Sequence, residues 1–205
     1  MSLVPLDEKK ILFLDLETTG LEPEKYSVWQ LAGIITIDDK IVEKFDIKVS
    51  PKKRSISKEA KELLKIDNPS EFFSKFQSYQ EGFNQLDKIF SKYIDRYDKH
   101  SKFIIIGQNV DFDVKHLIEF FKENENKYFG SWFSGYRIDI IQKAVDLILR
   151  GKMDIVKLFD LGNNLKLDTL AKYFNLNFDH HDALADIETT YKIFKLLNDL
   201  EDNSK

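Results

Sequence analysis

The chain has 205 residues, 42% hydrophobic and 32% charged, which is ordinary for a globular protein and enough for one domain with a substantial core. Its formal net charge of −4 argues against a protein that coats nucleic acid electrostatically, but it permits one that grips a chain end through metal ions. The absence of cysteine excludes disulfides, thiolate-bound zinc and a cysteine nucleophile.

Three consecutive strands are predicted in the first fifty residues. Residues 11–14 form an apolar, branched and aromatic run typical of a buried strand, and the turn residues at 18–20 end it. Residues 28–37 and 41–49 show the pattern of an antiparallel hairpin, joined by the short connection 38–40. The sheet therefore begins as an antiparallel unit.

Helical and strand patterns alternate in the rest of the chain. Apolar side chains with a period near 3.6 predict an amphipathic helix through residues 81–97. Residues 103–107 are typical of a second buried strand, followed directly by a helix, and a short strand is predicted at 136–139. The last helix is predicted from about residue 182 to residue 197. Antiparallel strands followed by strands alternating with helices predict an α/β fold with a mixed sheet.

No repeat, low-complexity tract or linker divides the chain. We therefore expect a single domain over residues 1–198 and a frayed polar tail at 199–205. The N-terminus lacks a basic segment followed by an apolar stretch, and no apolar run approaches the ~20 residues that a membrane span needs. We expect no signal peptide, no membrane association and a cytoplasmic protein.

Acidic residues collect at three places that a fold can bring together. Asp15 and Glu17 are two apart in the first strand, so their side chains point to the same side. Asp113 follows the second buried strand, and Asp186 lies in the second turn of the last predicted helix, at the edge of its buried face. Each of the three stretches also has a simpler explanation, as a solvated strand end, a helix cap or a surface histidine pair at 180–181.

Oxygen-only ligation by four carboxylates suits a hard cation such as Mg²⁺ or Mn²⁺ rather than zinc. A cation would also relieve the repulsion between two carboxylates in an apolar strand. His180 and His181 precede the last helix, and a histidine with a pKa near neutrality can act as a general base. Two cations, a base and a water are the parts of metal-assisted phosphodiester hydrolysis.

The same three stretches resemble the motifs of a known enzyme family. Residues 13–21 look like the first exonuclease motif of the DEDD superfamily, and residues 109–113 resemble the second, in which Asn, two variable residues, Phe and Asp recur. Residues 181–186 are similar to the third motif of the histidine subclass, with His five residues before the last Asp. The resemblance spans residues 11–197 and is closest to the epsilon-type proofreading subunits of bacterial replicative DNA polymerases.

The resemblance implies an RNase H-like fold, in which helices flank a mixed five-stranded sheet. It also implies 3′→5′ exonuclease activity with two divalent cations, Mg²⁺ or Mn²⁺. The metal ligands that it implies are Asp15, Glu17, Asp113 and Asp186, and His181 would be the general base. The residues that it implies to contact or seat the terminal nucleotide are Thr18, Thr19, Gly20, Leu21, Asn109 and Phe112.

We therefore expect an enzyme that removes nucleotides from single-stranded or frayed DNA 3′ ends in proofreading or repair, with a DNA polymerase subunit as a candidate partner. Thr18 favours DNA, because RNA-trimming relatives often carry Met there, whereas Gln108 in place of a common His and the additional acid Asp111 leave the substrate preference open. One alternative is an oligoribonuclease-like or RNA-processing exonuclease. Another is a catalytically idle RNase H-like binding subunit, against which the intact acids and His181 argue.

Overall fold

A mixed five-stranded sheet forms the centre of the protein in the computed structural model, which describes residues 9–53, 55–177 and 182–202. The strand order is β3-β2-β1-β4-β5, in which the first three strands pair antiparallel and the β1–β4 and β4–β5 pairs are parallel. This arrangement confirms the predicted fold class. The strands are β1 (Lys10–Thr18), β2 (Val28–Ile37), β3 (Lys40–Lys48), β4 (Phe103–Gly107) and β5 (Phe133–Asp139).

Helices cover both faces of the sheet. None of those in the described part of the chain combines the length and the apolar character needed to cross a membrane. In chain order, the described residues form α1 (Lys58–Leu63), α2 (Pro69–Phe73), α3 (Tyr79–Phe90), α4 (Val110–Glu123), α5 (Phe129–Trp132), α6 (Ile140–Leu149), α7 (Ile155–Leu161), α8 (Leu167–Tyr173) and α9 (Ala183–Asp202).

The alternating side chains of β1 divide the core into two layers. Leu12 and Leu14 point into the layer that α3 and α4 cover. Phe13 points the other way, into the layer that α6, α8 and α9 cover, where its ring meets that of Tyr191 edge-on with centroids 5.0 Å apart. Because the period along a strand is two, Asp15 and Glu17 share the face of Phe13 and therefore face α9.

The helix predicted at 81–97 is shorter than its apolar pattern suggests. α3 ends at Phe90, and Ile94 continues the period by packing into the core from a turn. Beyond it, the Asp95 carboxylate accepts a hydrogen bond from the backbone N–H of Tyr97 at 2.9 Å. Such a local side-chain bond gives the backbone an alternative to the helical pattern, and the helix prediction is wrong over these residues.

The last helix is longer than predicted. α9 continues to Asp202, so residues 199–202 of the predicted frayed tail are helical. Glu201 contributes to this extension, because its carboxylate lies 2.5 Å from Nζ of Lys143 in α6 and 3.4 Å from Nη1 of Arg150, which follows α6. The remainder of the predicted tail, residues 203–205, lies outside the described residues.

Candidate active site

Three acidic side chains converge at the C-terminal end of β1. One carboxylate oxygen from each of Asp15, Glu17 and Asp186 lies within 4.8 Å of the other two. Asp15 and Glu17 face α9 through the alternation of β1, and Asp186 comes from the first turn of α9, one turn earlier than predicted. The structure therefore brings together three of the four acids that the sequence singles out.

Asp113 occupies a position beside this group. It lies in the first turn of α4 and is only 3% exposed. Its Oδ1 accepts a hydrogen bond from the backbone N–H of Leu16 at 3.0 Å, so one of its oxygens is bonded to the strand that carries Asp15 and Glu17. Asp113 lies outside the group defined by the 4.8 Å distances, but its charge raises the pKa of Asp15.

Burial and mutual repulsion shift the titration of these carboxyl groups. Burial is the largest cause for Asp15, followed by the charges of Asp113 and Asp186, and together they raise its pKa well above the usual value. Burial, then the charges of Asp186 and Asp182, raise the pKa of Glu17 to about 7. Burial also raises the pKa of Asp113. The negative charge at this site is therefore costly for the protein to hold by itself.

The donor set fits a hard divalent cation. Among the residues that the structure describes, the group consists of carboxylate oxygens, and oxygen ligands of this kind suit Mg²⁺, Ca²⁺ or Mn²⁺. A bound cation also favours the ionised form of each carboxyl group, which offsets the burial and repulsion that raise their pKa values. The acidic cluster is therefore chemically suited to a metal site.

Asp182 is a neighbour of the site to which the sequence analysis gave no role. Its Oδ1 accepts hydrogen bonds from the backbone N–H groups of Leu184 at 3.0 Å and Ala185 at 3.2 Å, so it caps α9. Its Oδ2 lies 3.7 Å from Lys48 Nζ. Its charge also contributes to the raised pKa of Glu17. The sequence could have predicted this capping role, because Asp is a preferred N-cap residue just before a helix.

The turn after β1 is shaped by its own hydrogen bonds. The Thr18 hydroxyl donates to the Gly20 carbonyl at 2.8 Å. Thr19 exchanges two bonds with Ser27, donating its N–H to the carbonyl at 2.9 Å and accepting at Oγ1 from the N–H at 3.0 Å. A Cβ at Gly20 would lie 2.5 Å from ring atoms of Tyr26, so this close approach requires glycine.

The remaining residues implied to seat a nucleotide surround the same end of the sheet. Leu21 follows the turn and is 78% exposed. Asn109 adopts a left-handed conformation (φ 52°) before α4, and its side chain makes no capping hydrogen bond. Phe112 is partly buried, next to Asp113 in the first turn of α4. The two implied segments thus directly adjoin the carboxylates.

The two departures from the family pattern have partners of their own. Gln108 donates from Nε2 to the Leu165 carbonyl at 2.7 Å. Asp111 forms an ion pair with Arg137, whose Nε lies 2.5 Å from Oδ1. Neither side chain belongs to the carboxylate group. The histidines of the third motif, His180 and His181, lie outside the described residues, so the structure gives no position for the predicted general base.

Comparison with known families decides the class of the protein. The RNase_T family, described as exonucleases, matches residues 12–194, nearly the whole chain. The chain belongs to this exonuclease family. The match confirms the predicted DEDD-type exonuclease, and with it the enzyme class inferred from the three motifs.

Relatives of this chain include PolC-type DNA polymerases III from bacteria. The PolC-type DNA polymerase III of Latilactobacillus sakei subsp. sakei is 27% identical over 201 residues, which are 97% of this chain and 12% of the relative. The corresponding polymerase of Lacticaseibacillus paracasei is 28% identical over 193 residues, 93% of this chain and 11% of the relative. The domain thus spans only about a tenth of the length of the polymerases that it matches.

Solved structures share the fold of the domain. The structure of E. coli exonuclease I with a dA16 oligonucleotide superposes with a TM-score of 0.73 at 22% identity, covering 93% of this chain and 41% of that one. Exonuclease I from Methylocaldum szegediense gives a TM-score of 0.74 at 21% identity, covering 93% and 40%. This likeness establishes the RNase H-like fold.

Proposed function

We propose that this domain removes nucleotides stepwise from the 3′ ends of single-stranded or frayed DNA, in proofreading or repair. The observation that carries the proposal is the convergence of Asp15, Glu17 and Asp186 within 4.8 Å in a chain of the exonuclease family. Relatives named as DNA polymerase III, and a structural neighbour holding dA16, support DNA as the substrate.

The residues that would hold two divalent cations, Mg²⁺ or Mn²⁺, are Asp15, Glu17, Asp113 and Asp186. The raised pKa values of Asp15 and Glu17 support this. Burial and neighbouring negative charges disfavour the ionised form of both groups, and bound cations would stabilise that form. When bound, such cations stabilise charge on phosphoryl oxygens and make a water more acidic. Asp113 would contribute the oxygen that Leu16 does not occupy.

His181 is the general base in this proposal. Its ring would take the proton from the attacking water, a task that suits a side chain with a pKa near neutrality. Support comes from the sequence, in which His181 precedes Asp186 by five residues, as in the histidine subclass. Asp182, the next residue in the sequence, caps α9 by accepting from the backbone N–H groups of Leu184 and Ala185.

The terminal nucleotide would bind between the turn after β1 and the start of α4. Leu21 offers a large apolar surface to a base, since the residue is 78% exposed. The Asn109 side chain makes no capping bond, which leaves its amide for the substrate. Phe112 would pack against the nucleotide from the helix side. The residues proposed for the turn side are Thr18, Thr19, Gly20 and Leu21.

We further propose that the domain works with a DNA polymerase, either as part of the same chain or as a separate subunit. The polymerase III relatives support this context, and the domain corresponds to about a tenth of their length. A cytoplasmic location is proposed with it, in keeping with a DNA substrate and a chain without cysteine.

The experiment that tests the function uses 5′-labelled DNA and RNA oligonucleotides, single-stranded and fully paired, incubated with Mg²⁺, Mn²⁺ or EDTA. We expect a ladder of DNA shortened from the 3′ end, only with metal, and several-fold faster on single strands because fraying a pair costs about 1–2 kcal/mol per step. Digestion in EDTA, or of a strand with a blocked 3′ end, would contradict the proposal. Preferred digestion of RNA would support the oligoribonuclease-like alternative, and binding without cleavage would support the idle module.

A further inference from the structure

His116 is a buried histidine that the proposed chemistry does not use. It lies in α4, is 1% exposed, and places its Nε2 3.2 Å from the backbone carbonyl oxygen of Leu21. A carbonyl oxygen can only accept a hydrogen bond, so Nε2 carries a proton and donates it. A side chain in α4 therefore binds the backbone of the turn that follows β1.

This bond makes α4 the support for both ends of one short segment. At its start, the Leu16 N–H donates to Asp113 Oδ1 at 3.0 Å, and at its end the Leu21 carbonyl accepts from His116. Asp113 and His116 are three residues apart and so lie on one side of the helix. The segment between them contains Glu17 and most of the turn proposed to contact the nucleotide.

The His116 ring also contacts the other side of the proposed nucleotide pocket. Its centroid lies 4.6 Å from that of Phe112, with the two ring planes inclined by 50°. The two residues are four apart in α4, the spacing at which helical side chains meet. One side chain thus joins the turn after β1 to the aromatic ring at the start of α4.

We propose that His116 is a positioning residue, which fixes the backbone at Leu21 against Phe112 so that the pocket for the 3′-terminal nucleotide is formed before the substrate arrives. This inference rests on the proposed function. Without the Nε2–H donor, the turn would become ordered only when the substrate binds. The free-energy cost of that ordering would weaken substrate binding. His116 would touch neither the metal ligands nor the reacting atoms, so its effect should fall on binding.

Two substitutions separate the donor from the ring. His116→Phe keeps an aromatic ring against Phe112 but removes the donor, whereas His116→Gln keeps a side-chain N–H of similar reach. We expect His116→Phe to raise KM for a single-stranded DNA end about three- to tenfold, the range for one lost hydrogen bond, with kcat within about twofold of the parent. His116→Gln should restore KM to within about twofold.

Amide hydrogen exchange of residues 16–21 gives a second readout that needs no catalysis. Exchange should be faster in His116→Phe than in the parent, and close to the parent in His116→Gln. If His116→Phe does not fold, His116→Met replaces it as the variant without a donor. Equal KM and exchange in the donorless variant and the parent would overturn the inference, as would a glutamine variant impaired as much as the phenylalanine one.

The two proposals can fail separately. A parent protein that does not shorten DNA from the 3′ end contradicts the proposed function, and the exchange comparison then still decides whether His116 holds the turn. A parent that is active, with an equally active His116→Phe variant, contradicts the positioning role alone.

Discussion

Acidic side chains in two regions of this molecule have opposite surroundings. In the edge strand β3, the Glu43 carboxylate lies 2.6 Å from Lys92 Nζ, and the hydrogen bond from that ammonium lowers the pKa of the carboxyl group. At the end of β1, the charges that act on Asp15 and Glu17 are those of other carboxylates, and with burial they raise both pKa values. The charged form of a carboxyl group is therefore stabilised beside Lys92 and destabilised at the end of β1.

This difference indicates that the carboxyl groups at the end of β1 lower the stability of the fold and are present for function. A partly exposed acid beside a lysine, such as Glu43, has its charge compensated within the chain, and the pair contributes little to stability. A buried carboxyl group beside other carboxyl groups costs free energy in the folded state, and such groups occur where a ligand or a reaction needs them. Substitutions in the two regions should therefore act in opposite directions.

The largest expected effect is the loss of turnover in Asp15→Ala. Removing one of the proposed ligands would misplace both the cations and the water. Because misplacement by about 1 Å can already cost about 10²-fold, we expect activity on single-stranded DNA to disappear. Glu43→Ala removes an acid of the other region and should retain full activity. Initial rates with Mg²⁺ compare the variants, and an active Asp15→Ala enzyme would show that this acid is not part of the centre.

The next largest effect is expected for His181, the proposed general base. His181→Ala should lower kcat by about 10²–10⁴-fold, the usual contribution of a positioned base, while binding of Mn²⁺ persists. His180→Ala, the adjacent control, should be much milder. Single-turnover rates measure both, and the reverse order of the two variants would shift our assignment of the third motif by one residue.

The third expected effect concerns the pH dependence of stability. The folded pKa of Glu17 is about 7 against an ordinary 4.5, so the folded state binds more protons. Stability from this group is complete below about pH 4.5 and falls as the pH rises to about 7. In metal-free buffer, Glu17→Gln should therefore stabilise the protein at pH 8 by about 1–3 kcal/mol and flatten the decline.

Thermal melts from pH 4 to pH 8 test this expectation. The same melts with added Mn²⁺ test whether a cation stabilises the folded protein. A cation that binds only the folded state adds about 2.7 kcal/mol at a hundredfold excess over Kd, so the melting temperature of the parent should rise. The rise should be smaller in Glu17→Gln. A glutamine variant that is less stable than the metal-free parent at pH 8 would contradict the electrostatic account of the site.

Substitutions at Asp113 distinguish the effect of its charge from the effect of its hydrogen bond to Leu16. Asp113→Asn keeps Oδ1 as acceptor for the Leu16 N–H and removes the charge, so it should raise the metal-free melting temperature and reduce the Mn²⁺ response. Asp113→Ala removes the acceptor as well, and an unsatisfied buried N–H costs about 1–3 kcal/mol. A destabilised Asp113→Asn with an unchanged Mn²⁺ response would assign Asp113 a purely structural role.

The smallest expected effect lies in the other region. Glu43→Gln loses a carboxylate beside Lys92, and pairs of this kind contribute about 0–1 kcal/mol. Because the folded pKa of Glu43 is lowered, its contribution is present above about pH 4.5, the ordinary value, and is lost as the pH falls. Melts at pH 7 should show slight destabilisation, opposite in sign to Glu17→Gln. The same sign for both substitutions would remove the distinction between the two regions.

The sequence predicted the parts of the site that follow from local periodicity. Alternation in β1 correctly put Asp15 and Glu17 on one side, and the strand pattern predicted the mixed sheet. Periodicity misled at Ile94, which keeps the helical spacing although it packs from a turn after α3. Contacts between distant segments were beyond such patterns, as with His116 and Leu21, which are 95 residues apart in the chain.

The same limit applies to Asp113. Its position in the second motif predicted a metal ligand, but the pattern could not show that one of its oxygens already bonds the backbone of β1. Pairing of this kind depends on how α4 packs against the sheet, which tertiary structure decides and local sequence does not.

The most direct test of the metal centre is anomalous diffraction from a crystal of the protein soaked in Mn²⁺. The account predicts an anomalous peak between Asp15, Glu17 and Asp186, at about 2.0–2.2 Å from their carboxylate oxygens, and its absence in a soaked Asp15→Ala crystal. A soaked parent crystal with Mn²⁺ bound elsewhere and none at these three carboxylates would contradict it.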